Sequence, residues 1–356
     1  MNAELLRALE DLERERGIGK EILLQAIEAA LVSAYRRNFG GQNVRVLVDR
    51  ETGDIKVYSQ KTVVEKVQDP RLEISLEEAR LSNPAIQLGD IFEVEVQHRE
   101  FGRIAAQTAK QVVVQRIREA ERGVMYEEFS SREGELISAQ VSRQDRATRT
   151  IYLDVGKGVE AILPPQEQIP GEVLVEGQRI RAYVVEVRRT PKGPQVTCSR
   201  THPGLLRRLF ELEVPEIHDG VVELKAIARE AGSRSKAAVY SRDENVDPVG
   251  ACVGPKGLRV ENIVKELQGE KIDIVRWDPD PAVFVANALS PAKVLRVDIE
   301  ENGRVARVVV PDHQLSLAIG REGQNARLAA KLTGWKIDIK SESQARALEE
   351  GTGAIG

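Results

Sequence analysis

The feature that most constrains this chain is an internal repeat. Cys252-Val253-Gly254-Pro255-Lys256-Gly257 leads into Leu258 to Leu267 and then Gly269-Glu270-Lys271-Ile272-Asp273-Ile274. Ala318-Ile319-Gly320-Arg321-Glu322-Gly323 leads into Gln324 to Leu332 and then Gly334-Trp335-Lys336-Ile337-Asp338-Ile339. The glycine pairs lie 66 residues apart and the Lys-Ile-Asp-Ile runs 65, so the second connecting helix has lost one residue. Two β-like runs precede each pair: Val221–Arg229 with Lys236–Ser241, and Val294–Ile299 with Arg304–Val310. The second pair of runs is joined across Glu301-Asn302-Gly303, a tight-hairpin signal. Leu205–Leu212 and Ala282–Leu289 read as leading helices, so each unit runs helix, strand, strand, short helix, Gly-x-x-Gly, helix, strand.

A Gly-x-x-Gly pair alone carries little. With 28 glycines in 356 residues, roughly two matches arise by chance. The chain has three, and the pair Gly353/Gly356 sits in a polar tail with no following helix and is read as chance. The other two gain weight from their repeated context. A glycine-bounded turn between helices lets backbone approach a phosphodiester closely. The helix that follows aims free N–H groups and its positive dipole end at phosphate. This is how a KH module clamps about four nucleotides of single strand. The residues expected to touch RNA are Gly254, Pro255, Lys256, Gly257 and Arg259, and Gly320, Arg321, Glu322, Gly323, Gln324, Asn325 and Arg327. Neither turn is a nucleotide-binding phosphate loop, because no Gly-Lys is followed by Ser or Thr.

Upstream, residues 132–200 carry five short β-like runs, Leu136–Ser142, Thr150–Val155, Val159–Leu163, Arg179–Val187 and Gln195–Ser199, separated by Gly and Pro. Five strands in so short a span predict a small barrel of OB type, with a generic five-stranded sheet as the alternative. The first 131 residues read as an α+β domain. Ile22, Leu23, Ala26, Ile27, Ala30, Leu31 and Tyr35 form a helical apolar face that stops at Gly40-Gly41. Val44–Asp49, Ile55–Tyr58 and Ile91–Gln97 read as strands, and Ile104–Arg122 as a further helix. The fold class expected is therefore multi-domain α+β. Its parts are an N-terminal domain over 1–131, a barrel over 132–200, KH modules over 201–278 and 279–345, and a tail over 346–356.

Composition excludes several classes. The longest stretch without Asp, Glu, Lys or Arg, Pro281 to Ala292, is far short of the roughly 20 residues a membrane helix needs. The N-terminus lacks the apolar core of a signal peptide. Two cysteines and four scattered histidines, His98, His202, His218 and His313, supply no zinc spacing and no disulfide framework. A cytoplasmic protein without cofactor or metal is expected, and a role in catalysis is not expected for any of these histidines. Net charge is −4, and no segment is a basic arm, so non-specific capture of duplex DNA is disfavoured.

Over residues 1–345 the sequence resembles the NusA family of bacterial transcription factors. Asp247-Pro248-Val249-Gly250-Ala251-Cys252-Val253-Gly254, Ile272-Asp273-Ile274-Val275 with Trp277, and Ile319-Gly320-Arg321 with Gly323-Gln324-Asn325 and Arg327-Leu328-Ala329 carry the likeness. Phe101 to Gln111 resembles the family's connecting helix. The resemblance implies an N-terminal domain that docks on core RNA polymerase near the flap and RNA exit channel. It implies nascent single-stranded RNA and other Nus factors as further partners of a monomer. Such proteins modulate pausing, termination and antitermination. Some members carry C-terminal acidic repeats; the sequence stops at Gly356, so regulation through them is not expected.

The resemblance also places Arg36, Arg37 and Arg103 facing polymerase or an RNA hairpin; a helix C-terminus explains the first two equally well. In the barrel, Arg143, Arg146 and Arg149 are expected to contribute charge, with Tyr152 and Tyr183 as the remaining stacking candidates. Glu211, Glu213 and Glu216 read as a solvated helix face, Cys252 as a buried small hydrophobe, and Trp277 and Trp335 as core. The reading that emerges is a non-enzymatic elongation factor bridging polymerase and RNA. The alternative is an RNA-binding module of ribosome assembly or RNA turnover that ignores polymerase. A ribonuclease is disfavoured by the lack of any carboxylate cluster or histidine pair.

Overall fold

The computed structural model describes residues 2–40, 43–97 and 100–353; Gly41, His98 and Gly356 lie outside them. The chain divides into two compact units, Met1–Met125 and Tyr126–Gly356.

The first unit opens with α1 (Asn2–Arg16) and α2 (Lys20–Phe39). Strands β1 (Val44–Val48) and β2 (Ile55–Val64) pair antiparallel. Then come β3 (Glu73–Ser75), α3 (Leu76–Ser82), β4 (Ile91–Glu95) and α4 (Phe101–Ser130). Helix α2 buries Leu23, Leu24, Ile27, Leu31 and Tyr35 against Val44, Val46, Val48 and Val57 of the sheet and Phe101, Ala105 and Ala109 of α4. Ile22, expected on this face, is 60% exposed, because the face centres on Leu23 and Leu24. Periodicity does not announce β3 and α3, since each is short. Their signal is the capping sequence Ser75-x-x-Glu78, and the Ser75 side chain accepts the Glu78 N–H. Val63, Ile74, Ala79 and Ile86 pack beneath them.

The second unit begins with a closed barrel of β5 (Leu136–Gln144), β6 (Ile151–Asp154), β7 (Glu160–Leu163), β8 (Arg179–Thr190) and β9 (Gly193–Ser199). The strand order is β5-β6-β7-β9-β8, closed by β5 on β8, with β7 and β9 parallel. Alternating Ile137, Ala139, Val141, Leu153, Ala161, Leu163, Val184 and Val196 fill the interior. This is the OB-type barrel the five runs predict.

Two αββααβ modules follow. The first holds α5 (Pro203–Glu213), α6 (Pro215–His218), β10 (Val222–Glu230), β11 (Arg234–Ser241), α7 (Pro248–Val253), α8 (Leu258–Glu266) and β12 (Lys271–Arg276). The second holds α9 (Pro281–Ala288), β13 (Arg296–Glu300), β14 (Val305–Val310), α10 (Leu315–Ile319), α11 (Gln324–Thr333) and β15 (Lys336–Ser341). In each sheet the middle strand pairs antiparallel with the first and parallel with the last.

The first KH sheet is buried on both faces. Ala237 and Val239 of β11 pack with Leu205, Leu209, Phe210, Cys252 and Ile263 of their own module. Ala238, with Ala228 and Val275, packs instead with Phe284, Val285, Ala288, Leu328 and Ala329 of the second module. Alanine on this face lets α9 and α11 approach the strands closely. Strand register matches Ala226, Ala228 and Val275 to Arg296, Asp298 and Lys340 in the second sheet. There the outer face carries ion pairs, Arg296–Asp298 at 2.9 Å and Lys340–Asp338 at 3.4 Å.

Two local expectations change. Asn302-Gly303 does not form a two-residue turn: residues 301–303 make a 3₁₀ turn and Arg304, at φ +47°, is the left-handed residue. Four residues separate the paired Glu300 and Val305, a loop length built around a type I-like turn. The expected tail from 346 belongs in part to α12 (Glu342–Gly353). Its start is a capping box, in which the Ser341 hydroxyl accepts the Gln344 N–H at 3.3 Å and the Gln344 side chain accepts the Ser341 N–H at 3.0 Å.

Barrel and first module are joined through a buried arginine. Arg200, 1% exposed, donates from Nε to Glu172 Oε2 at 2.8 Å, from Nη1 to the Arg181 carbonyl at 2.6 Å, and from Nη2 to the Glu266 carbonyl at 2.9 Å. Replacing Arg200 with Ala strands the Glu172 carboxylate, itself 2% exposed. The expected loss is roughly 3–5 kcal/mol of unfolding free energy, read as a lower urea midpoint. A loss below about 1 kcal/mol would show the junction does not depend on the pair.

Candidate nucleic-acid interface

The two Gly-x-x-Gly turns are the same object built twice. Gly254 and Gly320 end α7 and α10 at φ +75°, ψ 175° and φ +78°, ψ 171°. Lys256 and Glu322 follow in the left-handed region at φ +52° and +54°. Gly257 and Gly323 complete the turns at φ +77° and +73° and precede α8 and α11. Neither helix start receives a side-chain cap; the first N–H, that of Leu258 or Gln324, bonds the Pro255 or Arg321 carbonyl, so the N–H groups behind it and the helix dipole are what the turn offers an anion. A Cβ at Gly257 or Gly323 would meet nothing within 4 Å, which leaves the turn open to a ligand backbone.

The residues after the turns make contacts within the protein. Arg259 lays its stem across Gly254 and donates from Nη1 to the Ala251 carbonyl at 2.6 Å and to Glu216 at 2.8 Å. Asn325, the equivalent residue, is buried and donates to the carbonyls of Ala318 at 3.0 Å and Leu289 at 3.1 Å. Each supplies a donor to a carbonyl of the short helix before the turn, which the helix end leaves unpaired. Gln324 and Arg327 are also engaged. Arg327 donates to Glu230 at 2.6 Å and 3.1 Å, and Gln324 donates to Glu230 at 2.9 Å and to Ser233 at 2.7 Å. These bonds tie the second turn to the β10–β11 hairpin of the first module. The Arg327 hydrogen bond, which outweighs burial, holds the Glu230 carboxyl down at about 2.

Pro255, Lys256, Arg321 and Glu322 remain exposed at the tips. Exposed Leu258, Leu317 and Ile319 lie on the helices flanking the turns. The first turn thus presents one cation, and the second a cation and an anion.

In the barrel, Arg143, Arg146 and Arg149 are exposed on and beyond β5. Arg143 covers the Tyr152 ring at 3.5 Å and pairs with Glu160 at 3.1 Å, so one face of Tyr152 is already occupied. Tyr183 stacks on His202. In the first unit, Arg36 and Arg37 are exposed in the last turn of α2, and Arg103 is exposed in the first turn of α4. Those helix ends meet through Tyr35, Phe39 and Phe101, whose rings lie 5.0 to 6.1 Å apart.

The acidic residues near the first module hold structure. Glu211 pairs with Arg208, Glu213 accepts from Asn262, and Glu216 from Arg259. Burial pushes the thiols of Cys198 and Cys252 up to about 12, which makes both inert packing groups at neutral pH. Among the described residues no group of three or more His, Cys, Asp or Glu could hold a metal, and no helix is long and apolar enough to cross a membrane.

Three family models match. One described as the NusA N-terminal domain covers residues 4–123, the NusA-like first KH domain covers 200–277, and the NusA-like second KH domain covers 281–347. The chain is 62% identical over 349 residues to the transcription termination/antitermination protein NusA of Halalkalibacterium halodurans, spanning 98% of this chain and 91% of that one. It is 61% identical over 349 residues to the protein of that name from Bacillus subtilis, spanning 98% and 93%. The solution structure of the N-terminal domain of NusA from B. subtilis is 62% identical, covering 34% of this chain and 99% of that chain with a TM-score of 0.32.

Two tests follow from the turn geometry. Ala at Gly254 or Gly320 forces a left-handed φ and an approach below 3 Å, but Gly254 meets the movable Arg259 stem while Gly320 meets the Asn325 backbone nitrogen at 2.8 Å. Gly320→Ala should therefore lower thermal stability more than Gly254→Ala, by about 1–3 kcal/mol. Glu230 has a depressed folded pKa, so its contribution is fully present above the ordinary carboxylate range and is lost progressively as pH falls from there through about 2, while the carboxylate itself stays charged in the folded protein until about 2. The Gln324 side-chain amide resonances should stay unchanged from pH 7 to about 4; movement near the ordinary carboxylate value would show the clamp to be absent.

Proposed function

The chain belongs to the NusA family of transcription termination/antitermination proteins, and on that footing we propose that it bridges core RNA polymerase and nascent single-stranded RNA. The N-terminal unit is the polymerase-binding part, docking near the flap and RNA exit channel. Arg36, Arg37 and Arg103 face polymerase or an emerging RNA hairpin. The barrel and KH modules take RNA. The observation that supports this reading is the paired turn. Two uncapped helix starts, each behind an open glycine and an exposed cation, repeat with dihedral angles matching within a few degrees. Phosphate recognition of this kind needs backbone and a point charge rather than a catalytic group.

The function follows from coupled binding. A protein that holds polymerase and RNA together shifts the balance between paused and active elongation states by its differential affinity for them. No covalent step is needed, and the protein is a non-enzymatic, cytoplasmic monomer that joins other Nus factors. Lys256 and Arg321 are the phosphate-facing cations. Arg143, Arg146 and Arg149 add charge along the barrel. Arg259, Gln324, Asn325 and Arg327 serve by shaping the turns, which refines their expected role as direct RNA ligands.

The double variant Lys256→Asp/Arg321→Asp should bind single-stranded RNA at least about tenfold more weakly. Its log–log salt slope should be shallower by about 0.7 for each phosphate that is no longer neutralised. Co-elution of the full chain with core RNA polymerase should be unchanged. RNA affinity equal to that of the wild type would remove the turns from the RNA site. Failure of the wild-type chain to co-elute would favour an RNA-processing role.

A further inference from the structure

We propose that the stacked Tyr183–His202 pair, at the junction of barrel and first KH module, is a base-stacking platform for single-stranded RNA. The inference rests on the RNA-binding reading above and adds a site to it. The two rings lie 4.5 Å apart and only 6° from parallel. Tyr183 is the inner, half-buried ring and His202 the exposed one, so the outer face of the imidazole is open.

The platform is rigidly held. The His202 N–H donates to the Ser199 hydroxyl at 2.8 Å, and its carbonyl accepts from Arg229 Nη1 at 3.0 Å. Its Nδ1 accepts the Gly204 N–H at 3.0 Å, which leaves the proton of the neutral ring on Nε2 as an outward donor. Gly204 permits the arrangement, because a Cβ there would meet the Tyr183 ring at 2.5 Å. A cleft of about 300 Å³ opens beside the rings, lined by Gly134, Pro203, Arg207, Arg208 and Ile227. That volume is at the lower end of ligand-sized clefts. Arg207 spends Nη1 on the Leu224 carbonyl, and Arg208 spends Nε on the Gly134 carbonyl and Nη1 on Glu211; both keep further N–H groups. A flat ring with a polar edge and two guanidinium groups is the donor set that stacking of one nucleotide requires.

The position also fits. Helix α5 starts at this platform, and its far end, through Glu213, meets Asn262 of α8, the helix that follows the first turn. Its 11 residues span about 16 Å, so platform and turn lie within reach of one short strand.

Two substitutions separate stacking from structure. His202→Asn keeps an acceptor for the Gly204 N–H and loses the ring. His202→Phe keeps the ring and loses the acceptor. Binding is measured with the full chain and two probes, oligoadenylate and oligouridylate of about 20 nucleotides, long enough to pass a four-nucleotide KH clamp. The expected result is about tenfold weaker oligoadenylate binding by His202→Asn, near-wild-type binding by His202→Phe, and a smaller loss on oligouridylate, whose bases stack less well. A single cooperative urea transition in each variant confirms folding, with a lower midpoint expected for His202→Phe, which loses the helix cap. Any other ordering, including equal loss in both variants, overturns the platform. If Lys256→Asp/Arg321→Asp loses binding while His202→Asn does not, the RNA-binding reading stands and the platform falls. If the wild type binds neither probe, both fall.

Discussion

The second unit depends on one apolar surface: the outer face of the first KH sheet, where Ala226, Ala228, Ala238 and Val275 would otherwise meet water. Burying such a face contributes about 25 cal/mol per Å² of apolar area. Here the cover is the next copy of the same module, whose α9 and α11 supply Phe284, Val285, Ala288, Leu328 and Ala329. This packing sets where α11 begins. It therefore also sets where the second glycine turn stands against the first module. The Glu230 clamp on Arg327 and Gln324 fixes the start of α11 once the apolar faces have met.

The two turns show how little sequence the backbone device requires. Only the glycines and the helix that follows are common to both; the residues between them are Pro-Lys in one and Arg-Glu in the other. Yet Lys256 and Glu322 adopt the same left-handed conformation within a few degrees. The geometry is held from outside the turn. Arg259 in one copy and Asn325 in the other bond the carbonyls of the preceding short helix. Charge at the tips is thus free to vary without disturbing the shape, and the first copy presents the more positive tip.

Most of the architecture is readable from repeats and alternation. The five barrel strands, the αββααβ order and the matching Lys-Ile-Asp-Ile strands all follow patterns that span several residues. What sequence patterns miss is either short or dependent on neighbours in space. α3 and the start of α12 rest on capping pairs, Ser75 with Glu78 and Ser341 with Gln344, rather than on periodicity. The roles of Gln324 and Arg327 depend on a partner 94 or 97 residues away, Glu230, which no local pattern announces. Of the equivalents in the first copy, Leu258 has no polar side chain to offer and Glu261 pairs with Lys265 on its own helix. His202 looks isolated among four scattered histidines, because its stacking partner Tyr183 lies on a barrel strand.

The ion pairs on the outer face of the second sheet have a consequence for growth of the array. A further module laid on that face would have to strip water from Arg296, Asp298 and Lys340, where the first sheet offers alanines and a valine. Stacking is therefore self-terminating: the first copy is built to be an inner tile and the second an end tile, as in solenoids whose last repeat turns a polar face outward.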